Sequence, residues 1–347
     1  MFYRTIDYLA CPSDKNPLIA DKITQCSEIK NPSCHSRCRL YCAFKGVQIP
    51  NGIAPEDCGK CHRLEIITAT LKCPRCGTAF PVKDGIARLL PVEKDIKPEL
   101  QTSMAVKKSE MKARDEFSAE YDLKFPPGRD LLETKSFLKR LSLSGYDAVL
   151  ELGSGTGRLT MSMLPSCKEI ICIDLSFESL KELSRKIHLQ DGGTAHLIQA
   201  DMNFIPLRKE YLFEKIACSG AIQHVPADSK IDAIKEIDRY LAGNGIFVVS
   251  AYNHSEMTVE TREKEGYHSG RIYFYRYDQD EFKDFLSSVF RVCEIAGMIN
   301  LPTHKVVGNL MKTGLTWVAL ALEYLIQRTK LSFRRGEMLI AVCRKKS

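Results

Sequence analysis

The feature that most constrains this 347-residue sequence is a short apolar run that ends in glycines and opens a helix. Asp147-Ala148-Val149-Leu150-Glu151-Leu152 reads as a buried strand, Gly153-Ser154-Gly155-Thr156-Gly157 follows it directly, and a helical pattern starts near Arg158. Glycine lets a backbone turn tightly and come close to a ligand, here at the carboxyl end of a strand, where open α/β sheets bind their ligands. From Tyr146 onward, short runs rich in β-branched residues alternate with longer helical patterns. That rhythm predicts βαβ units and an α/β fold with a doubly wound, mostly parallel sheet. The Gly-x-Gly-x-Gly spacing, with Glu151 two positions ahead of it, departs from the Gly-x-Gly-x-x-Gly of a dinucleotide pyrophosphate site.

The cysteines divide the chain. Nine of the 14 lie in the first 76 residues, at Cys11, Cys26, Cys34, Cys38, Cys42, Cys58, Cys61, Cys73 and Cys76. The opening residues, Met1 to Asp7, include a charge pair and no apolar run followed by a small-residue cleavage site, so the expectation is a cytoplasmic protein with reduced thiols. In that setting dense cysteines point to metal ligation rather than disulfides. Cys58-Gly59-Lys60-Cys61 and Cys73-Pro74-Arg75-Cys76 are two Cys-x2-Cys knuckles separated by eleven residues. This is zinc-ribbon spacing, and four thiolates would close a tetrahedral structural zinc site with no open position. Cys34, Cys38 and Cys42 are spaced four apart, which on a helix puts three sulfurs on one face with Cys26 or Cys11 as a fourth donor. Two readings stand for them: a second metal, either zinc or an iron–sulfur cluster, or unliganded helix thiols. Cys167, Cys172, Cys218, Cys293 and Cys343 lie among apolar neighbours and read as small core residues. The expected division is a cysteine-rich metal-binding domain over 1–92, a linker and lid helix over 93–130, and the α/β domain over 131–347.

Two family resemblances follow from these motifs. Tyr8-Leu9-Ala10-Cys11-Pro12, Asn16-Pro17-Leu18, Leu71-Lys72-Cys73-Pro74-Arg75-Cys76-Gly77 and the run from Phe80 to Pro91 together resemble the small zinc-ribbon activator subunit of RNA and release-factor methyltransferases. Members often carry Cys-x2-Cys at the first knuckle, whereas the second position here is Asp14, and a cysteine-rich segment separates the two halves. The resemblance pairs Cys11 and Asp14 with Cys73 and Cys76, while raw spacing pairs Cys58 and Cys61 with them; both pairings stand at this point.

The run from Val149 to Gly157 closely resembles the first motif of class I S-adenosylmethionine-dependent methyltransferases of the type 11-like group. This implies a Rossmann-like, seven-stranded sheet and S-adenosylmethionine as cofactor, with Glu151 in the network around its aminoacyl end and Gly153, Ser154, Gly155 and Gly157 in its loop. Ile170-Ile171-Cys172-Ile173-Asp174 resembles the second strand, whose terminal acid, followed by Leu175, holds the ribose hydroxyls; a carboxylate suits two neighbouring hydroxyl donors. Leu197-Ile198-Gln199-Ala200-Asp201-Met202 resembles the third strand, with Asp201 on the adenine amino group and Met202 on its amide edge. The run Phe213 to Val225 resembles the fourth strand and the loop facing the methyl group, with Ser219 at the cofactor. His224 is the candidate base, because an imidazole titrates near neutral pH. Asp115 to Asp122 resembles the helix that folds over the ligand, with Tyr121 as a lid contact. Gly270 to Tyr277, aromatics interleaved with arginines, is expected to wall the acceptor pocket.

Composition then limits the partners. A net charge of +7 permits contact with RNA or anionic lipid without requiring either, and no lysine-arginine stripe marks a dedicated RNA binder. Val306 to Ile326 is apolar but broken by Asn309, Lys312, Thr313, Thr316 and Glu323, which predicts packed amphipathic helices rather than a transmembrane segment and leaves room for membrane-surface contact. The leading expectation is a methyltransferase acting on an unidentified acceptor, a small molecule or lipid. The rivals are a tRNA or other RNA methyltransferase with a fused activator-like zinc domain, and a ligand-sensing protein without turnover.

Overall fold

Strands form where aliphatic and β-branched residues run unbroken, and helices where apolar residues recur every three or four positions. The structure, a computed structural model, describes residues 1–28, 37–49, 60–92, 96, 98–189, 194–255 and 263–346. Its N-terminal lobe comprises α1 (Tyr3–Tyr8), β1 (Ile19–Glu28), β2 (Tyr41–Cys42), β3 (Val47–Gln48), β4 (Leu64–Lys72), β5 (Ala79–Lys83) and β6 (Ile86–Arg88). Two helices follow, α2 (Gln101–Lys124) and α3 (Pro127–Leu141). The α/β alternation is β7 (Ala148–Leu152), α4 (Arg158–Met163), β8 (Glu169–Asp174), α5 (Phe177–Leu189), β9 (Thr194–Gln199), β10 (Phe213–Cys218), α6 (Lys230–Tyr240) and β11 (Leu241–Tyr252). The chain closes with the hairpin β12 (Glu265–His268) and β13 (Ile272–Tyr275), then α7 (Gln279–Ser287), β14 (Phe290–Met298), α8 (Gly308–Lys312), α9 (Thr316–Gln327), α10 (Leu331–Arg335) and β15 (Met338–Lys345).

Strands β9-β8-β7-β10-β11-β15-β14 form the doubly wound, mostly parallel seven-stranded sheet that the sequence predicts. Strands β7 and β8 are buried along nearly their whole length, as parallel strands covered by helices on both faces must be. The order reverses between β7 and β10, which opens a crevice at their carboxyl ends.

The N-terminal lobe extends this sheet instead of standing apart from it. Strand β6 joins β9 in parallel, Ala87 opposite Ile198 and Arg88 opposite Gln199, so that β1-β4-β5-β6 and the seven strands make one sheet of eleven. Further backbone bonds tie α1 and its exit to the loop before β10: Ala10 N–H donates to Pro206 at 2.8 Å and Arg208 N–H to Tyr8 at 2.8 Å. One apolar core runs from Tyr8 and Leu71 through Ile171 and Ile198 to Phe247 and Phe290. Burying each such side chain contributes about 1.5–3 kcal/mol.

Charge is also buried at this junction. Arg4 on α1 donates to both oxygens of Glu169 on β8, at 2.9 and 3.0 Å, and His196 Nε2 lies 3.3 Å from the same carboxylate. All three are at least 96% buried, with exposures of 4%, 2% and 1%. Despite burial, the hydrogen bonds from His196 and Arg4 hold the Glu169 carboxyl well below the usual range, whereas burial pushes His196 down and keeps it neutral. Asp7 accepts from the backbone N–H groups of Leu40 and Tyr41 at 3.0 and 2.6 Å, and from the Tyr211 hydroxyl.

Within the stretch 93–130, read as a linker and lid helix, the chain is helical from Gln101 to Lys124, and α2 turns Ser103, Lys107 and Glu110 inward and so shows no apolar stripe. One sequence expectation needs correction here. Of the five dispersed cysteines, Cys293 is exposed on β14 at the sheet edge, while Cys167, Cys172, Cys218 and Cys343 are buried.

Candidate active site and metal cluster

The crevice beyond β7 is a cavity of about 420 Å³ roofed by α2. Its floor is the glycine turn, which only glycine can build. Gly153 has φ +72°, and a Cβ there would stand 2.3 Å from the Ala221 Cβ. Gly157, with φ +89°, starts α4, and its missing Cβ admits Leu183 of α5. Gly157 therefore serves the packing of α4 against α5, and it does not itself line the cavity. Glu151, Gly153, Ser154, Gly155, Asp174, Leu175, Asp201, Met202, Ser219, Tyr121 and His224 all line the cavity.

The acids differ in their surroundings. Asp174, at the end of β8, accepts from Gly155 N–H at 2.7 Å and Ser176 N–H at 2.8 Å; burial nonetheless raises its pKa. Glu151 is buried with the Thr160 hydroxyl donating at 2.6 Å, and burial pushes it up to about 8. Asp201 is not vacant: Lys107 of α2 donates to both its oxygens, at 2.9 and 2.7 Å, and Asn203 N–H donates to Oδ1 at 2.9 Å. A carboxylate offers about four acceptor positions, so Oδ2 keeps one. Ser219 donates to Glu133 at 2.6 Å, and Glu133 pairs with Arg158 at 2.9 Å.

Polar contacts pin helix α2 to the three loops that follow β7, β8 and β9. Besides Lys107 on Asp201, Asp115 accepts from the Ser176 hydroxyl at 2.6 Å, and Asp122 accepts from Thr156 at 2.7 Å. Lys107, Glu110 and Arg114, none of them singled out from the sequence, line the cavity beside Tyr121; burial lifts Glu110 to about 7. The available signal was their helical spacing of three and four, which puts polar residues on one face.

His224 ends a short turn after β10, and its Nδ1 lies 2.6 Å from the Tyr273 carbonyl oxygen. A carbonyl can only accept, so Nδ1 carries the proton and the Nε2 lone pair accepts from the Gln223 amide at 3.4 Å. Burial drives the His224 pKa well below its ordinary value, which makes the ring neutral and a weak base. Of the Gly270–Tyr277 run, Ile272 lines the cavity, while Arg271 points away to pair with Glu116 at 2.6 Å.

The cysteines gather differently from their sequence spacing. Cys11, Asp14, Cys73 and Cys76 bring their donor atoms within 4.8 Å of one another. The Asp14 carboxylate lies 3.5 Å from Cys73 Sγ, and Cys11 and Cys76 Sγ stand 3.8 Å apart. Cys61 is not in this group: it sits in the turn Lys60–Arg63, in electrostatic contact with Tyr3 and Cys38. Pairing Cys61 with Cys73 fails because β4 carries the chain away between them. Cys58 and Cys34 lie outside the described residues. Cys26 is exposed on β1, 3.5 Å from the Tyr3 hydroxyl, and Cys38 and Cys42 are buried beside Ile49; none joins the Cys11 cluster.

Residues 149–245 match the family of the methyltransferase domain, and residues 3–85 match the Trm112p-like protein family. An uncharacterized methyltransferase of Geobacillus thermodenitrificans is 30% identical over 125 residues, 35% of this chain and 56% of that protein, so the chain spans little more than half of that relative's length. Among solved structures, a complex between the Haloferax volcanii Trm112 methyltransferase activator and a methyltransferase is similar at 14% identity and a TM-score of 0.48, covering 70% of this chain and 98% of the other. The 1,6-didemethyltoxoflavin-N1-methyltransferase of Burkholderia thailandensis is similar at 14% identity and 0.48, covering 78% and 96%. The chain carries a Trm112p-like domain followed by a methyltransferase domain, and the two share one sheet.

Proposed function

We propose that this protein is an S-adenosylmethionine-dependent methyltransferase acting on a small molecule or a lipid. The observation that carries the reading is the fit of the crevice to such a cofactor. Among the described residues, the Ser154 hydroxyl is buried without a partner at the glycine turn, and nothing lies within 4 Å of where a Gly155 Cβ would stand. A nucleoside fits here: Asp174 would accept the ribose hydroxyls, and the remaining acceptor position of Asp201 would take an amino hydrogen beside Met202. When bound, the cofactor supplies a methyl group already activated on a sulfonium. The protein then needs to hold the acceptor in line and exclude water. Helix α2 closes the crevice from water, and Tyr121 packs within that closure. Neutral His224, a weak base whose Nε2 faces the Gln223 amide at 3.4 Å, would help position the acceptor at the cavity wall rather than take its proton.

The Cys11, Asp14, Cys73 and Cys76 cluster suits a structural zinc ion. A tetrahedral zinc with metal–sulfur bonds of about 2.3 Å holds its sulfurs about 3.8 Å apart. The Cys11–Cys76 separation is 3.8 Å. With no open position the ion would brace the lobe and take no part in the transfer.

Calorimetric titration of the zinc-replete chain with S-adenosylmethionine tests the cofactor. Asp174→Asn, which keeps the side chain's size, is expected to weaken binding about ten- to a hundredfold, as loss of a charged acceptor does. Absence of binding to the wild-type chain would overturn the proposal. The Trm112p-like match favours a second reading, methylation of RNA. Transfer of a radiolabelled methyl group into a cell extract separates the two: label in organic-soluble or small-molecule fractions supports the first, and label removed by ribonuclease supports the second.

A further inference from the structure

Helix α9 is built inside out. Its inward stripe is Ala319, Glu323 and Gln327, while its outward face carries Trp317 at 68% exposure, Leu325 at 60% and Leu322 at 42%. Glu323 is completely buried and tolerated there because Asn300 donates to it from its backbone N–H and its amide, each at 2.9 Å, and Gln327 donates at 3.0 Å. The helix is thus anchored through polar groups and presents its leucines and tryptophan outward. Leu315 and Leu331, each 43% exposed, continue the apolar face at either end.

The surrounding charge says what covers it. Lys305, Lys312, Arg328, Lys330, Arg334 and Arg335 are all exposed around this face. Glu323, whose carboxylate is buried, is the only acid between residues 301 and 336. A protein partner complementary to this rim would have to be both apolar and uniformly acidic, which is the composition of an anionic bilayer surface. Twelve residues give a helix of about 18 Å, too short to cross a bilayer but long enough to lie in its headgroup plane. Among the described residues no helix is long and apolar enough to span a membrane. A tryptophan beside lysines and arginines is the composition that settles at that depth.

We infer that α8, α9 and α10 form a docking surface for anionic membranes, with Trp317, Leu322 and Leu325 entering the headgroup layer. This does not rest on the proposed chemistry, and its test needs no turnover. Trp317 is the single tryptophan of the chain, so its fluorescence reports insertion directly. The full chain is mixed with vesicles of phosphatidylcholine alone, or of phosphatidylcholine and phosphatidylglycerol in equal parts. The expected result is co-sedimentation and a blue-shifted emission with the anionic vesicles only. The double variant Leu322→Glu/Leu325→Glu is expected to lose both signals with an unchanged circular dichroism spectrum. Lys330→Ala/Arg335→Ala is expected to weaken partitioning about thirtyfold, since each cation near an anionic surface is worth about 1 kcal/mol. The inference is overturned if wild-type protein stays in the supernatant with unshifted emission, or if the leucine variant binds as well as wild type. It is equally overturned if the wild type is a dimer that the leucine variant dissociates, which would make a second copy the occupant.

Discussion

The junction of the N-terminal lobe and the outer face of the C-terminal helices break the same rule in opposite directions. At the junction charge lies inside, with the Arg4–Glu169 ion pair buried beside neutral His196; on α9 leucine and tryptophan lie outside. The buried ions are mutually paired, so the interface that hides them is completed within the chain. The exposed apolar residues have no such partner among the described residues, so the surface that satisfies them lies beyond it. Misplaced polarity at one site marks a finished contact and at the other an unfinished one.

The largest effect that would test this contrast comes from Arg4→Met, which leaves Glu169 buried without its ion. Chemical denaturation is expected to show a loss of about 3–5 kcal/mol, with part of it recovered in Arg4→Met/Glu169→Gln. A loss under 1 kcal/mol would mean the junction is not a completed interface. Glu151 sharpens the comparison, since it is buried with the Thr160 hydroxyl as its hydrogen-bond donor and feels Arg158 only at longer range. Its carboxyl is raised from 4.5 to about 8 in the fold, so the unfolded chain releases that proton first and ligand-free stability falls as pH rises across this window. Glu151→Gln is therefore expected to gain on the order of 3 kcal/mol above pH 8 and little near pH 4.5, measured by urea unfolding at both ends.

His196 supplies the opposite limb. Its pKa is lowered from 6.5, so below that pH the unfolded chain binds a proton that the native chain refuses, and stability falls as pH drops. His196→Gln is expected to flatten this slope, by up to about 1.4 kcal/mol per pH unit. The smallest effect belongs to the other region: Leu325→Glu should change stability by no more than about 0.5 kcal/mol, because its side chain already faces outward. A large loss there would show that the α9 face is part of the core.

The sequence made the strand, glycine turn and terminal acids legible because each is local: Val149 to Gly157, Asp174 and Asp201 announce themselves within a few residues of a strand end. What it concealed was made in space. Strand β6 has only three residues and binds β9 through backbone bonds, which leave no side-chain pattern. The Cys73 cluster takes Cys11 and Asp14 from far along the chain in place of the nearer knuckle, a pairing that raw spacing hid and only the family resemblance offered. Helices α2 and α9 defeat periodicity for a common reason: both turn polar side chains inward, so a search for apolar stripes either passes over the helix or assigns the wrong face to the core.

The pairing of β6 with β9, and of α1 with the loop before β10, sets a schedule for synthesis. Ala10 donates to Pro206, Leu89 to Gln199, and the Arg208 N–H to Tyr8, so the first ninety residues cannot be completed until about 120 more have left the ribosome. At roughly 5–20 residues per second that is a wait of about six to twenty-four seconds. Throughout it the β6 edge of the nascent lobe stands unpaired, waiting for a part of the chain that does not yet exist.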